Sequence, residues 1–248
     1  MHFSNDAKIR ILKNKKIRTM AKEKITKPEE EALGAAMSKT ESFFEQNGKM
    51  MTYCLAALLI LAGCVFGYKK LVSEPRIEKA AEMMIQAETR FAEETTDFEL
   101  ALSGDENGAG FLEIAEQYGS TPSGNLAKHC AGICYFRLGD MENAAKWLKK
   151  YSPVKGLPGA IINAQNLGLQ GDILFEAGDY VAAAKLYIKA SESSDNTYTT
   201  PLYLRKAALA EKALGNNKVA EEYLQRILNE YPSSNDAREA EKLLGANN

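Results

Sequence analysis

Histidine is almost absent from this chain, which has only His2 and His129 among 248 residues. Only His129 falls in the part of the sequence expected to fold. A two-histidine metal site is therefore excluded there, and a nucleophile triad would depend on that one residue. The sequence also lacks a phosphate loop, a dinucleotide fingerprint and a nucleophile elbow. We predict that the protein is not an enzyme and needs no cofactor.

Cysteine is scarce as well, with four residues in all. Cys130 and Cys134 lie one helical turn apart, but the further Cys or His ligands that a metal would need are missing, so we expect both to pack in a core. The stretch 105–110 resembles a calcium loop at several positions. Its Ala109 offers no side-chain oxygen, so we expect an ordinary loop and predict no metal site.

Clustered positive charge is missing from most of the chain, whose formal net charge is −2. A nucleic-acid-binding protein needs Lys and Arg clusters to neutralise phosphates. The one basic run is AKIRILKNKKIR near the N-terminus, which we interpret as part of a disordered cytoplasmic tail near anionic lipid. The alternative is that it results from an early start codon, since Met20 would open a cleaner N-terminus. We predict no nucleic-acid partner.

One long apolar run is present, and no other segment of the sequence competes with it. The 19 residues at 50–68 carry no charge, and as a helix they would reach roughly 28 Å, close to the thickness of a bilayer's hydrocarbon core. Their Leu, Ile, Val and Phe residues favour insertion by roughly 3 kcal/mol. Tyr53 and Tyr68 lie near the ends, where aromatic rings prefer the headgroup level. The run predicts a transmembrane helix at 50–68.

Two other readings of this run stay open beside an uncleaved anchor. A cleaved signal peptide is disfavoured because 49 residues precede the run, whereas a secretory n-region is short. A lipoprotein signal is suggested by Leu61-Ala62-Gly63-Cys64, which has the shape of a lipobox. That reading would need translation to start at Met37 or Met50, and it leaves an apolar continuation after Cys64.

Charge gives the orientation of the predicted span. Residues 1–49 contain 11 Lys or Arg against 7 Asp or Glu, and residues 69–248 contain 20 against 26. This asymmetry places the N-terminus in the cytoplasm, although the charges nearest the span run the other way. We predict a single-pass protein with a cytoplasmic N-terminus and with its soluble domain on the other side of the membrane.

Three later segments share one spacing of small and large residues. They read CYFRLGDMENAAKWL, ILFEAGDYVAAAKLY and EKALGNNKVAEEYL. Each has a turn glycine, a small residue seven positions before it, an alanine five positions after it and a large residue four further on. In chain order the sets are Gly132, Gly139, Ala144 and Leu148; Gly171, Gly178, Ala183 and Tyr187; and Ala208, Gly215, Ala220 and Leu224. The period is 39 and then 37 residues.

This spacing resembles that of tetratricopeptide repeats, in which helix A, a tight turn and helix B form a 34-residue unit. Small residues let the two helices approach, the large residue fills the seam between them, and the turn glycine ends helix A. Glu211 departs from the pattern, since Tyr135 and Leu174 occupy the equivalent positions. The resemblance implies a helical solenoid. Together with the apolar run, it predicts an all-α fold in which a single N-terminal transmembrane helix is followed by that solenoid.

A further phrase, FLEIAEQYGSTPSG, resembles the end of the last unit and indicates a degenerate first repeat. Stacking of at least three units would bury a continuous core, with a polar-faced helix covering its end. The predicted segments are a basic disordered tail (1–26), a cytoplasmic helix (27–48), the transmembrane helix (50–68), a degenerate first repeat (75–124), three repeats (125–158, 164–197 and 201–234) and a capping helix (235–248).

The resemblance implies a protein-binding groove on the A helices. Its predicted residues are His129, Phe136, Arg137, Asp172, Phe175, Arg205 and Lys206. The order of parts is also similar to that of the ancillary subunits of bacterial Sec translocons, single-span proteins with a periplasmic repeat domain. This similarity implies a location in the bacterial inner membrane with the repeat domain in the periplasm. It also implies translocon subunits, periplasmic chaperones or unfolded clients as partners. A lipoprotein attached at Cys64 and acting in outer-membrane protein assembly is the alternative.

Overall fold

The computed structural model describes residues 45–92 and 97–245, together with Ser38 and Phe43. The predicted tail (1–26) and most of the predicted cytoplasmic helix (27–48) lie outside these residues. The described part is almost entirely helical, and its one sheet is a two-stranded hairpin. The chain divides into two compact units, Met1–Lys70 and Leu71–Asn248.

Helix α1, residues 45–68, contains the apolar run of the first unit, and a π-helical turn follows at Lys69–Ser73. Taken as one continuous helix through this π-helical turn, the stretch Glu45–Ala92 is long and apolar enough to cross a membrane. The mean hydropathy of its most apolar 18 residues is 2.1, and none of that window is buried. Leu59 and Ile60, for example, are 66% and 67% exposed. The run therefore lacks the burial that a core helix of a soluble domain has.

The second unit contains ten helices and the hairpin within its described residues. They are α2 (Glu74–Ala92), α3 (Phe98–Ser103), β1 (Gly104–Asp105), β2 (Gly108–Ala109), α4 (Phe111–Gln117), α5 (Pro122–Arg137), α6 (Met141–Lys150), α7 (Leu157–Glu176), α8 (Tyr180–Glu192), α9 (Thr199–Ala213), α10 (Asn217–Glu230) and α11 (Asn235–Gly245). Four clusters of buried side chains lie in this unit.

The segment between α2 and α4 corrects the expectation of an ordinary loop at 105–110. Asp97 begins α3, because its carboxylate accepts a hydrogen bond from the Leu100 amide (3.0 Å). Gly104, with φ +74°, then turns the chain into the antiparallel β1–β2 hairpin. Arg90 of α2 holds that hairpin by donating to the Gly108 carbonyl (3.0 Å) and pairing with the Asp105 carboxylate. The hairpin therefore depends on Arg90, a residue of another helix that lies outside the 105–110 segment.

Helices α5–α6, α7–α8 and α9–α10 are joined by three turns of one geometry. The turn glycines Gly139, Gly178 and Gly215 have φ values of +82°, +80° and +79°. In each turn the amide of the residue after the glycine donates back to a carbonyl five residues earlier, at 2.9 Å. This is the bond of a Schellman cap, and it requires the left-handed backbone that glycine adopts without steric cost. The glycines at these positions thus end three helices in the same way.

The seams inside these pairs follow the spacing of small and large residues. A Cβ added at Gly132 would lie 2.6 Å from Leu148 Cγ, and one at Gly171 would lie 2.7 Å from a carbon of the Tyr187 ring. In the third pair the small residue is Ala208, which packs in one cluster with Leu224. Small residues therefore let the paired helices touch. How the chain divides into the repeats 125–158, 164–197 and 201–234 stays a prediction, and α7 begins at Leu157, before 164.

Two asparagines hold the long connection between α6 and α7. The Asn125 side chain on α5 accepts from the Ser152 amide (2.9 Å) and donates to the Ser152 carbonyl (2.7 Å). Asn163 on α7 bonds Val154 in the same two ways, at 3.1 and 2.8 Å. Both loop residues are exposed, yet their backbone polar groups are satisfied. The two asparagine side chains thus supply the backbone hydrogen bonds that an extended segment would otherwise make with a neighbouring β-strand.

Helix α11 packs against α10 and α9 at the end of the unit. Its buried residues are Ala237 and Ala240, and its other side carries charged residues. The Ser234 hydroxyl accepts from the Ala237 amide at 3.1 Å, which satisfies one free N–H at the start of the helix. A charged outer face over an alanine-lined inner face is what a helix at the end of a solenoid needs.

Candidate functional site

Five of the seven predicted groove residues line one cavity on the A helices. This cavity has a volume of about 370 Å³ and spans α5, α7 and α9. The predicted residues in it are His129, Phe136, Arg137, Asp172 and Lys206, joined by Ile133, Gln165, Leu169 and Tyr203. Three helices far apart in sequence thus meet at one surface, which is called the A-helix groove below.

The other two predicted residues lie elsewhere. The Phe175 ring packs edge-on against Tyr180, with ring centroids 4.9 Å apart. Arg205 pairs with Asp236 of α11 (Nε to Oδ1, 2.6 Å) and lines a different cavity, of about 530 Å³. Both positions were predicted from the resemblance to tetratricopeptide repeats, which does not show which neighbour a half-buried side chain meets.

Asp172 connects three helices in the A-helix groove. Its carboxylate accepts hydrogen bonds from the Tyr187 hydroxyl (2.7 Å) and from the Lys206 ammonium, which lies 2.8 Å from both oxygens. Burial, followed by the bond to Asp172 and its negative charge, raises the pKa of Tyr187 above its usual value. Tyr187 therefore stays protonated and remains a donor.

Tyr203 is a groove residue that the sequence prediction missed. Its ring occupies the space left by the absent side chain of Gly168, and a Cβ there would overlap the ring. The Lys206 ammonium lies 5.9 Å from the centre of the Tyr203 ring, within cation–π range. The available signal was Gly168, a glycine inside a helix that a packing partner explains.

His129 lies at the base of the groove and is 3% exposed. Its Nδ1 is 3.1 Å from the Asn166 side-chain nitrogen, which can only donate, so Nδ1 accepts and the proton of the neutral ring lies on Nε2. Burial lowers the pKa of His129 to about 4. His129 thus joins α5 to α7 as a neutral ring and offers a ligand little surface.

Cys130 and Cys134 lie on the other side of α5, within the cluster that also contains Trp147. Burial raises the pKa of both thiols, that of Cys134 to about 12. Neutral thiols in such surroundings behave as small apolar groups. Among the residues that the structure describes, no group of three His, Cys, Asp or Glu side chains is arranged to hold a metal ion.

The last helix pair can be compared with a known family. Residues 203–234 match the family model for the tetratricopeptide repeat. The chain contains a tetratricopeptide repeat. The match extends from Tyr203 in α9 to Ser234 just after α10. No curated protein matched the chain. Tetratricopeptide repeats generally mediate protein–protein interactions, so the repeat indicates a protein-interaction scaffold.

The matched repeat also explains why Glu211 can replace an apolar residue. Its carboxylate accepts a hydrogen bond from the Asn216 side chain (2.8 Å), and Asn216 follows the turn glycine of this repeat. In the two earlier helix pairs the residue after the turn glycine is an aspartate, Asp140 or Asp179. Its carboxylate instead accepts a hydrogen bond from a backbone amide in the first turn of the next helix. The repeat thus exchanges a side-chain helix cap for a bond across the turn, and the Schellman geometry is unchanged.

Proposed function

We propose that the protein is a membrane-tethered scaffold that binds other proteins through the A-helix groove. The observation that carries this proposal is the cavity in which Phe136 and Arg137 of α5, Asp172 of α7 and Lys206 of α9 come together. The groove joins an aromatic side chain to charges of both signs. Such surfaces anchor a partner by the aromatic group and orient it by the charges.

Binding, not catalysis, is the role we propose for this groove. Asp172 and Lys206 neutralise each other at 2.8 Å, and His129 is a buried neutral ring. A general acid or base must reach a substrate proton in the right protonation state. The groove groups that could do so are instead occupied by neighbouring side chains.

The membrane tether is supported by the exposure of the apolar helix. A run with mean hydropathy 2.1 that is not buried exposes apolar side chains to whatever surrounds it. In water this exposure is costly, whereas in a bilayer core it is the favourable state. We propose that 50–68 remains in the membrane as an uncleaved anchor.

The cellular setting is a further part of the proposal. We place the protein in the bacterial inner membrane with the N-terminus in the cytoplasm and the repeat domain in the periplasm, as an accessory to the Sec translocon. Its support is the order of parts in the sequence. The proposed partners are translocon subunits, periplasmic chaperones or emerging unfolded chains.

A lipoprotein that acts in outer-membrane assembly is the second candidate. It is favoured by the Leu61-Ala62-Gly63-Cys64 stretch and by the exposure of Cys64. Intact mass of the protein extracted from membranes separates the two candidates, with Cys64→Ala as the matched variant. An uncleaved chain supports the anchor, whereas a diacylated species that begins at residue 64 overturns it.

Site-specific photo-crosslinking in intact cells tests the groove. The full-length chain would carry benzoylphenylalanine at Phe136 in the groove, or at Val181, which is 51% exposed on α8 and does not line the groove. We expect translocon subunits or envelope chaperones to be captured from position 136 and not from 181. Equal capture from both positions would contradict a groove, and capture of neither class from 136 would contradict the secretion role.

A further inference from the structure

A second cleft lies on the other side of α7 from the A-helix groove. It has a volume of about 550 Å³ and lies among α6, α7 and α8. Asn163, Leu167 and Gln170 line it from α7, at intervals of three to four residues that place them on one face of the helix. The groove residues Gln165, Leu169 and Asp172 occupy the opposite face. The two surfaces therefore lie on different faces of α7, and Asn166, which lines the cleft, connects them through its hydrogen bond with His129 of the groove.

Lysines surround this cleft. Lys149 of α6 and Lys189 of α8 line it, and Lys146 and Lys185 lie one turn earlier on the same faces of those helices. All four are exposed, and within the described part of the chain none forms an ion pair with a carboxylate. Glu192 is the acidic residue in the cleft. The cleft thus has an excess of positive charge in a chain that is acidic overall.

The floor of the cleft can bind a peptide backbone. At its edge, Asn163 already holds Val154 of the exposed loop through both its amide and its carbonyl. This contact shows how an A-helix amide captures an extended chain. Two turns further along α7, Gln170 donates to Asn166 (2.8 Å), and its own carbonyl oxygen faces no donor among the described residues. A ligand N–H can pair with that oxygen.

We propose that this cleft binds an extended peptide segment with consecutive acidic side chains. Lys149 and Lys189 bind its carboxylates from the two rims, and Gln170 accepts a backbone N–H between them. A recessed floor of amide and leucine side chains suits a peptide better than a lipid headgroup, which would need only charge on a flat face. The inference does not depend on the A-helix groove or on the membrane anchor.

The second unit, Leu71–Asn248, is suited to the test because all four described clusters of buried side chains lie within it. Fluorescein-labelled hexaglutamate is the probe, and its anisotropy measures binding at about 50 mM salt, where screening is modest. The variant Lys149→Glu with Lys189→Glu should weaken binding by about tenfold or more. Gln170→Ala should weaken it by a few-fold, because one hydrogen bond is lost.

The matched control is Lys79→Glu with Lys218→Glu, which changes the net charge equally at exposed positions outside the cleft. It should change the affinity by less than about twofold. If Lys149→Glu with Lys189→Glu lowers the melting temperature, the milder variant Lys149→Gln with Lys189→Gln is measured instead. It must also bind hexaglutamate more weakly than the unchanged protein.

Three results would overturn the inference. If the control variant weakens hexaglutamate binding as much as the cleft variant does, the effect comes from overall charge and not from the cleft. If Gln170→Ala binds hexaglutamate as tightly as the unchanged protein, Gln170 does not bind the peptide backbone. Binding to phosphatidylglycerol vesicles without binding to hexaglutamate would assign the surface to lipid. Loss of crosslinking at Phe136, by contrast, would affect only the proposed function of the groove.

Discussion

Replacing Gly171 by alanine tests the packing of the helix pairs most directly. Gly171 lies inside α7, and in an isolated helix the change to alanine stabilises by about 1 kcal/mol. Here the new Cβ would lie 2.7 and 2.9 Å from two carbons of the Tyr187 ring. That ring cannot move aside easily, because it is buried and its hydroxyl is bonded to Asp172.

The magnitude follows from two opposing effects. Overpacking of a close-packed site costs about 1–3 kcal/mol, and a rigid ring puts this site at the upper end. After the gain in helix propensity, we expect the free energy of unfolding to fall by about 2 kcal/mol. For a domain of this size that corresponds to a fall of roughly 4–8 °C in melting temperature.

The chain itself suggests the compensating change. In the third pair Ala208 packs with Leu224, so Gly171→Ala combined with Tyr187→Leu would reproduce a combination that already occurs. We expect the double variant to be more stable than the sum of the single changes by about 1 kcal/mol or more. Urea unfolding of residues 71–248 measures all three variants. Gly245→Ala is the control, since its Cβ would meet nothing within 4 Å. A stabilising Gly171→Ala would refute the packing argument.

Three other changes test separate parts of the structure. Ala183→Arg puts a charge into a fully buried site and should abolish cooperative melting of the second unit, so an unchanged melting curve would contradict the seam. Because the pKa of His129 is lowered to about 4, its contribution to stability is present above pH 6.5 and is lost as the pH falls towards 4. His129→Gln should therefore flatten that part of the stability profile by up to about 3 kcal/mol, and an equally steep profile would argue against a neutral ring. Lys206→Met should cost no more than about 1 kcal/mol because the pair with Asp172 is partly exposed, and a double-mutant cycle with Asp172→Asn measures their coupling.

The sequence predicted those features that depend on local spacing. The three turn glycines and the small-to-large pairs, such as Gly132 with Leu148, were predicted from the spacing that three segments share. The structure places the glycines in turns and the pairs between neighbouring helices. The β1–β2 hairpin was not predictable in this way. It depends on Arg90, which comes from another helix and would pass for an ordinary surface charge in the sequence.

The candidate site was predictable to a similar degree. The resemblance to tetratricopeptide repeats predicted Phe136, Asp172 and Lys206 as groove residues, and the structure brings all three to one cavity. The resemblance could not show that Asp172 and Lys206 bind each other, or that Tyr203 fills the space beside Gly168. Such pairings depend on the angle and distance between neighbouring helices, which no single helix encodes.

The asparagine contacts with the α6–α7 connection have a practical consequence for solution studies. The amide protons of Ser152 and Val154 are in an exposed loop, where fast exchange with solvent is the usual behaviour, yet each is bonded to a side chain of a different helix. Their exchange rates therefore report how firmly α5 and α7 hold the loop between them. In a nitrogen–proton spectrum, the peaks of Ser152 and Val154 would therefore change when a ligand separates α5 or α7 from the loop, wherever that ligand binds.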